Sequence, residues 1–172
     1  MRKIVMALMI TTVFLFCAVS VAAEMPKEGT LAGTVTYAGT HKIIPLDKQN
    51  FVLVYENMGV RVSDTGKGPF NGMSTLNVGV IYFENGEGRL RGYIFNTDKD
   101  GDKVIMELTE DASHLGGKPT SGTGTIIGGT GKFKGIQGEM EYNRRTLKPA
   151  AKGTHQAISK GTGTWKIVEP KK

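Results

Sequence analysis

The 172-residue chain contains one cysteine, Cys17, and it lies just past the only long apolar run. That run, Ile4 to Phe16, is about 13 residues, against the roughly 20 that a membrane-crossing helix requires. Beyond it, no window carries the capped, 3.6-residue periodicity of an amphipathic helix. The only histidines are His41, His114 and His155, and none is spaced as HxH or HxxxH. These shortages argue against a helical bundle, remove the cysteine metal centre and leave no local zinc motif.

Arg2 and Lys3 precede the apolar run, and the small residues Val21, Ala22 and Ala23 close it, which is the layout of a secretory signal. Cleavage is expected after Ala23, giving a signal peptide (residues 1–23) and one mature domain (residues 24–172) that is periplasmic or secreted. A lipid anchor on Cys17 would want a small residue just before it, where Phe16 stands. The mature chain then has no thiol, so disulfides and cysteine nucleophiles are excluded. Without Arg2 and Lys3 it has 20 basic and 16 acidic residues, a net charge of +4. Much of the excess lies in Lys166, Lys171 and Lys172 and in the cluster Arg144, Arg145, Lys148 and Lys152. The cluster lacks the interleaved aromatics of a single-strand binder, so nucleic acid is not an expected partner.

What the chain has in quantity is glycine, 24 residues, and alternation with period two. Leu31, Gly33, Val35 and Tyr37 share one face of TLAGTVTY, and Leu76, Val78, Val80 and Tyr82 share one face of STLNVGVIYF, as in half-buried strands. Residues 51–62, 89–95, 103–110, 121–127 and 136–142 and the stretch GTHQAISKGTGTWKIV supply further strands, with glycine-rich turns between them. Gly33, Gly79, Gly92, Gly122, Gly124 and Gly138 fall inside strands, where glycine weakens pairing unless the strand bends or another group approaches closely. The expected fold is all-β, a single antiparallel eight-stranded barrel, with a β-sandwich as the alternative. Most of these strands are six to eight residues long, short of the 9–11 of a membrane barrel, and no aromatic girdles are visible, so no membrane span is expected.

The stretch IIGGTGKFKG, residues 126–135, looks like a phosphate loop. A helix should follow such a loop, and a Lys should be followed by Ser or Thr, but IQGEMEY alternates as a strand. A nucleophile elbow would need a serine between the glycines. Turn chemistry remains: glycines for positive φ, Thr130 bonding locally and Phe133 packing on the barrel. The segment SGTGTIIGGTGKFKGIQGEMEY, preceded by NTDKDGDK, resembles the GGTGKF-type hairpin of the allene oxide cyclase and dirigent families, small barrels of the wider calycin group. It is most similar to exported bacterial proteins with an allene-oxide-cyclase-like barrel. The matching motifs cover residues 92–142. The resemblance implies a barrel whose hydrophobic lumen opens at one end and, in the plant members, steers cyclisation or radical coupling of apolar substrates without a cofactor. It assigns no catalytic residue here, because no family motif outside the hairpin is matched.

NTDKDGDKVIME places Asn96, Asp98, Asp100, Gly101, Asp102 and Glu107 at ligand-bearing positions of a calcium-loop template. Asp98, Asp100 and Asp102 are therefore candidate calcium ligands. Against them, both flanks alternate as strands, and Asp100-Gly101 is a common hairpin tip. With Val104, Met106 and Leu108 facing inward, Glu107 points away from the loop.

The other candidates for chemistry are a convergence of the three histidines, the carboxylate pairs Glu139/Glu141 and Glu107/Glu110, and the aromatics. Glu139 and Glu141 oppose Ile136, Met140 and Tyr142 on their strand and are expected outside. Tyr37, Tyr55, Tyr82, Tyr93 and Trp165 are candidate lumen-lining residues, whose polar atoms could orient a ligand. Three readings follow: a binder of a small apolar molecule that uses no cofactor, a cofactor-independent isomerase or cyclase, and an interaction module with a solid core. An oligomer is compatible with all three.

Overall fold

The computed structural model describes residues 25–113 and 118–169. Eight strands follow one another: β1 (Glu28–Pro45), β2 (Phe51–Ser63), β3 (Met73–Glu84), β4 (Glu87–Thr97), β5 (Lys103–Ser113), β6 (Thr120–Gly129), β7 (Ile136–Leu147) and β8 (Thr154–Ile167). Each pairs antiparallel with its sequence neighbour, and β8 returns to pair with β1, so the barrel is closed. That closure rules out the sandwich, which would leave unpaired edges. All eight segments expected from alternation are strands. They are longer than expected, from 10 residues in β6 to 18 in β1. The longest extension is in β1, whose last residues, His41 to Pro45, are held by ladder hydrogen bonds to β2 alone. Strand length therefore no longer argues against a membrane barrel. The outer faces of β5–β8 do: rows such as Glu107, Thr125, Glu139 and Thr164 run across them, where an apolar band would be required. Among the described residues, no helix is long and apolar enough to cross a membrane.

Inward residues alternate along every strand. One end of the barrel is closed by an aromatic plug. Phe70, from the β2–β3 loop, meets Trp165 edge-on with ring centroids 5.6 Å apart and Phe133 at 6.0 Å. Phe133 sits on a single 3-10 turn (Gly131–Phe133) between β6 and β7 and is fully buried, worth about 1.5–3 kcal/mol of burial. Met73 and Ile136 complete the plug.

Tyr55 shows why glycine interrupts two adjacent strands. Gly79 and Gly92 are cross-strand partners, and a Cβ on either would stand 2.6 or 2.5 Å from the Tyr55 hydroxyl. The missing side chains leave the space into which the phenol lies.

On β3 both faces are apolar. Met73, Thr75, Asn77, Ile81 and Phe83 point inward, while Leu76, Val80 and Tyr82 are exposed. With their neighbours they form outer rows, among them Ala38, Met58, Leu76 and Phe95, and Thr40, Glu56, Val78 and Tyr93. The outer wall of β1–β4 is thus much more apolar than that of β5–β8.

Candidate functional site: the pocket at the open end

The end opposite the plug holds a cavity of about 120 Å³. Leu53, Ile81, Phe83, Leu90 and Ala157 form apolar walls, and Tyr37, Tyr55, Asn57, Asn77 and Arg144 bring polar atoms into it. His41 and His155 stand at its mouth, with ring centroids 5.5 Å apart and planes tilted by 53°. They lie on the paired strands β1 and β8, where Gly39 is the partner of His155. His114 lies outside the described residues, so two of the three histidines are seen to converge.

The polar groups inside are held by one another. Tyr55 donates its hydroxyl to Asn77 Oδ1 at 3.3 Å, and burial pushes its ionisation well above the ordinary range. Tyr142 donates to the Thr109 carbonyl at 3.4 Å. Arg144 clasps Glu110 with two bonds, Nε to Oε2 at 3.0 Å and Nη2 to Oε1 at 2.6 Å, and gives a third to Thr146 Oγ1 at 3.1 Å. The Glu110 side chain is wholly shielded from solvent. Burial disfavours the Arg144 charge, but the Glu110 carboxylate outweighs it and holds the guanidinium charged. Burial pushes His155 down from its ordinary value, with His41 and Arg144 adding to the shift, so its imidazole is neutral at pH 7. His155 Nδ1 and Asn57 Oδ1 are buried with no hydrogen-bond partner. Their residues line the pocket, and Asn57 Oδ1 lies over Gly39.

Of the aromatics expected in the lumen, Tyr37 and Tyr55 line this pocket. Trp165 is inside the barrel but belongs to the plug at the other end. Tyr82 and Tyr93 do not reach the lumen: they are 38% and 44% exposed on the outer wall, one residue out of step with inward Ile81, Phe83, Gly92 and Ile94. Alternation had identified the apolar face of β3 but could not say which face was inside. Glu139 and Glu141 are exposed, as expected. Glu107 and Glu110 do not act as a pair, because three residues apart on a strand they point to opposite faces. Glu110, Arg144 and Arg61 are the interior charges that reading from apolar runs passed over. The signal was there: each continues the inward parity of its strand, after Leu108, Tyr142 and Asn57 respectively.

The acidic loop lies at the plugged end. Asp98 Oδ1 accepts the backbone N–H groups of Asp100 and Asp102, both at 2.9 Å, making a tight turn between β4 and β5. Its cation is supplied by the glycine hairpin: Lys132 Nζ is bonded to Asp98 and lies 2.7 Å from Asp100 Oδ2. The backbone N–H of Lys132 donates to Asp102 Oδ2 at 3.2 Å, and Thr130 exchanges bonds with Lys103. At Gly131, φ is 51° and a Cβ would run into the Asp102 carboxylate. Among the described residues, no group of three or more His, Cys, Asp or Glu side chains is arranged to hold a metal.

The fold and the pocket define a closed eight-stranded antiparallel barrel, plugged at one end and open at the other. Among solved structures it is similar to the pterocarpan synthase dirigent protein GePTS1, with 12% identity and a TM-score of 0.49 over 86% of this chain and 91% of that one. It is similar also to the pterocarpan synthase dirigent protein PsPTS1, with 10% identity and a TM-score of 0.46 over 84% of this chain and 99% of that one. No family model matches the chain. No curated protein matches it either.

Proposed function

We propose that the protein binds a small, largely apolar molecule in the open-end pocket, using no cofactor, with a hydrogen-bonding group of the ligand turned to Asn57 and His155. The observation that carries this reading is the cavity of about 120 Å³, walled by Leu53, Ile81, Phe83, Leu90 and Ala157 and edged by two buried, unpartnered polar atoms. Its size bounds the ligand. Ordinary ligand pockets hold about 300–1,000 Å³, and a dry cavity of roughly 150 Å³ takes a benzene. The enclosed part of the ligand is therefore about one ring, and anything larger projects through the mouth. The opening residues add the reading that binding takes place in the periplasm or outside the cell.

The test is calorimetric titration of the protein with toluene and phenol, and with naphthalene as a two-ring probe, beside native mass spectrometry of protein from its own host. Phenol is expected to bind more tightly than toluene, and Ala157→Trp, which fills the pocket, to abolish both. Equal binding by Ala157→Trp would refute the site.

A second reading is favoured by one observation: neutral His155, with its Nδ1 free, lines the same pocket and could accept a proton from a bound molecule. On this reading the pocket steers an isomerisation or cyclisation, and His155→Gln would abolish turnover while leaving binding in place. We further read the apolar outer wall of β1–β4 as the face by which copies of this chain associate. Four strands by about five alternate rows offer on the order of 600 Å², near the 800 Å² or so that each partner contributes to a standard interface.

A further inference from the structure

Below the pocket, the barrel contains a charge that no carboxylate among the described residues pairs with. Arg61 is 97% removed from solvent, being 3% exposed, and its one hydrogen bond among the described residues runs from Nε to Asn96 Oδ1 at 2.9 Å. Asn96 is itself fully buried and passes a bond on to the Val104 carbonyl. Among the described residues, the two terminal nitrogens of the guanidinium have no hydrogen-bond partner. The nearby interior carboxylate, Glu110, is clasped by Arg144. A buried unpaired ion costs several kcal/mol unless a counter-charge or a set of dipoles meets it.

A second, smaller cavity lies against this guanidinium. Its volume is about 10 Å³, the room of roughly one water-sized sphere, and its wall includes Tyr37, Arg61, Tyr142 and Ser159. The rest of its wall is Gly33, Val35, Ile94, Leu108, Met140 and Gly161, and no carboxylate faces it; Ser159 bonds the Tyr37 phenol and the Tyr142 hydroxyl is given to the Thr109 carbonyl, which leaves the guanidinium as the group there with uncommitted donors. Hydroxyls turn to donate where an acceptor is present. Such a set suits an anion. Arg61 also draws the Tyr37 phenol back from the upward shift that burial imposes, as expected if the positive charge is felt in this space.

Tyr37 borders both cavities, as floor of the open-end pocket and roof of the small one. A swing of its ring would join them into one channel ending at Arg61. We propose that Arg61, with the Tyr37 and Ser159 hydroxyls turned to it, is an internal anion site, filled either by a free monatomic anion such as chloride or by the carboxylate end of a molecule whose apolar part occupies the pocket. Only the second source rests on the pocket reading given above.

The experiment is thermal unfolding of the full chain at constant ionic strength, with sodium chloride exchanged for sodium gluconate, whose anion is too large for the cavity. Sodium hexanoate and neutral 1-hexanol are run in parallel. The site predicts a midpoint that rises by about 3–5 °C for each tenfold rise in the bound anion once the site saturates. A rise with chloride, and no more with hexanoate than with hexanol, assigns the site to a free anion. A rise with hexanoate but not hexanol, opposed by chloride, assigns it to the ligand's carboxylate. In Arg61→Met the dependence is expected to vanish. Ser159→Ala, a milder change, is expected to weaken anion affinity several-fold while the chain stays folded. The proposal is overturned if no anion moves the wild-type midpoint, or if Ser159→Ala and Arg61→Met respond as the wild type does. Toluene separates this outcome from the pocket reading: it needs no anion, so its binding can survive failure of the anion site, and the reverse also holds.

Discussion

Lys132 Nζ lies 2.7 Å from Asp100 Oδ2, although the two residues belong to different hairpins. The acidic loop and the glycine-rich hairpin, conspicuous as separate motifs in the sequence, are the two halves of one clasp over the plugged end. Burial works against the Asp98 charge, yet the bonds from Lys132 and from two backbone N–H groups hold its carboxyl below the usual range. Bonds from Lys132 and then Lys99 hold Asp100 at about 2. A carboxyl whose folded pKa is depressed stabilises the fold above its unfolded pKa, near 4, and loses that stabilisation as pH falls toward the folded value. Lys132→Met is therefore expected to lower the thermal midpoint at pH 7, and the gap from wild type to close between about pH 4 and 2. A gap that persists unchanged at pH 2 would mean that the clasp does not act through its charges.

The same clasp bears on calcium. An ion at Asp98, Asp100 and Asp102 would have to displace an ammonium already bonded to two of them. In calorimetric titration the wild type is expected to take up calcium weakly, whereas Lys132→Met, which frees the carboxylates, binds it at least tenfold more tightly. Equal affinity in the two proteins would show that Lys132 does not guard the loop.

Glu110 and Arg144 illustrate where the sequence was legible and where it was not. The eight strands could be read because period-two alternation survives almost everywhere, and the turn before β7 because a strand follows it, although Gly128 and Gly129 themselves are the paired end of β6 and positive φ falls at Gly131 and Gly135. The interior could not be read by looking for apolar faces. On β3 the more continuous apolar face is the outer one, which misplaced Tyr82, while Glu110, Arg144 and Arg61 are charged residues on the inner face. Inward parity counted from Val104, Met106 and Leu108 leads directly to Glu110. Polarity hid what parity marked.

Breaking this pair is expected to be costly. Arg144→Met leaves a carboxylate shielded from water, and the expected loss is about 3–5 kcal/mol in chemical denaturation. Removing both charges in Glu110→Leu/Arg144→Met should restore much of it, because the two charges of the pair leave together. A double variant as unstable as the sum of the singles would contradict the coupling.

His155 gives the barrel a pH response near neutrality. Its folded pKa is depressed, first by burial, so the unfolded chain takes up a proton at higher pH than the folded one does. Stability is then lost as pH falls below the ordinary imidazole value of about 6.5. His155→Gln is expected to flatten that part of the profile and leave the loss below pH 4, which belongs to the aspartates. A midpoint of His155→Gln that tracks the wild type from pH 8 to 5 would remove His155 as the source.

Met58 and Leu76 face each other across β2 and β3 on the outer wall, 65% and 38% exposed, in the row that also carries Ala38 and Phe95. Burying such a row against a second copy would regain apolar area at about 25 cal/mol per Å², whereas charge placed there would have to be dehydrated on contact. Sedimentation velocity at micromolar concentration is expected to show an oligomer of the wild type and a monomer of Met58→Glu/Leu76→Glu. The substitutions lie on the far side of the sheet from the pocket, so phenol binding by the variant is expected to persist. A wild type that sediments as a monomer at these concentrations would leave the apolar wall of β1–β4 without this partner, and loss of phenol binding together with assembly would tie the pocket to it.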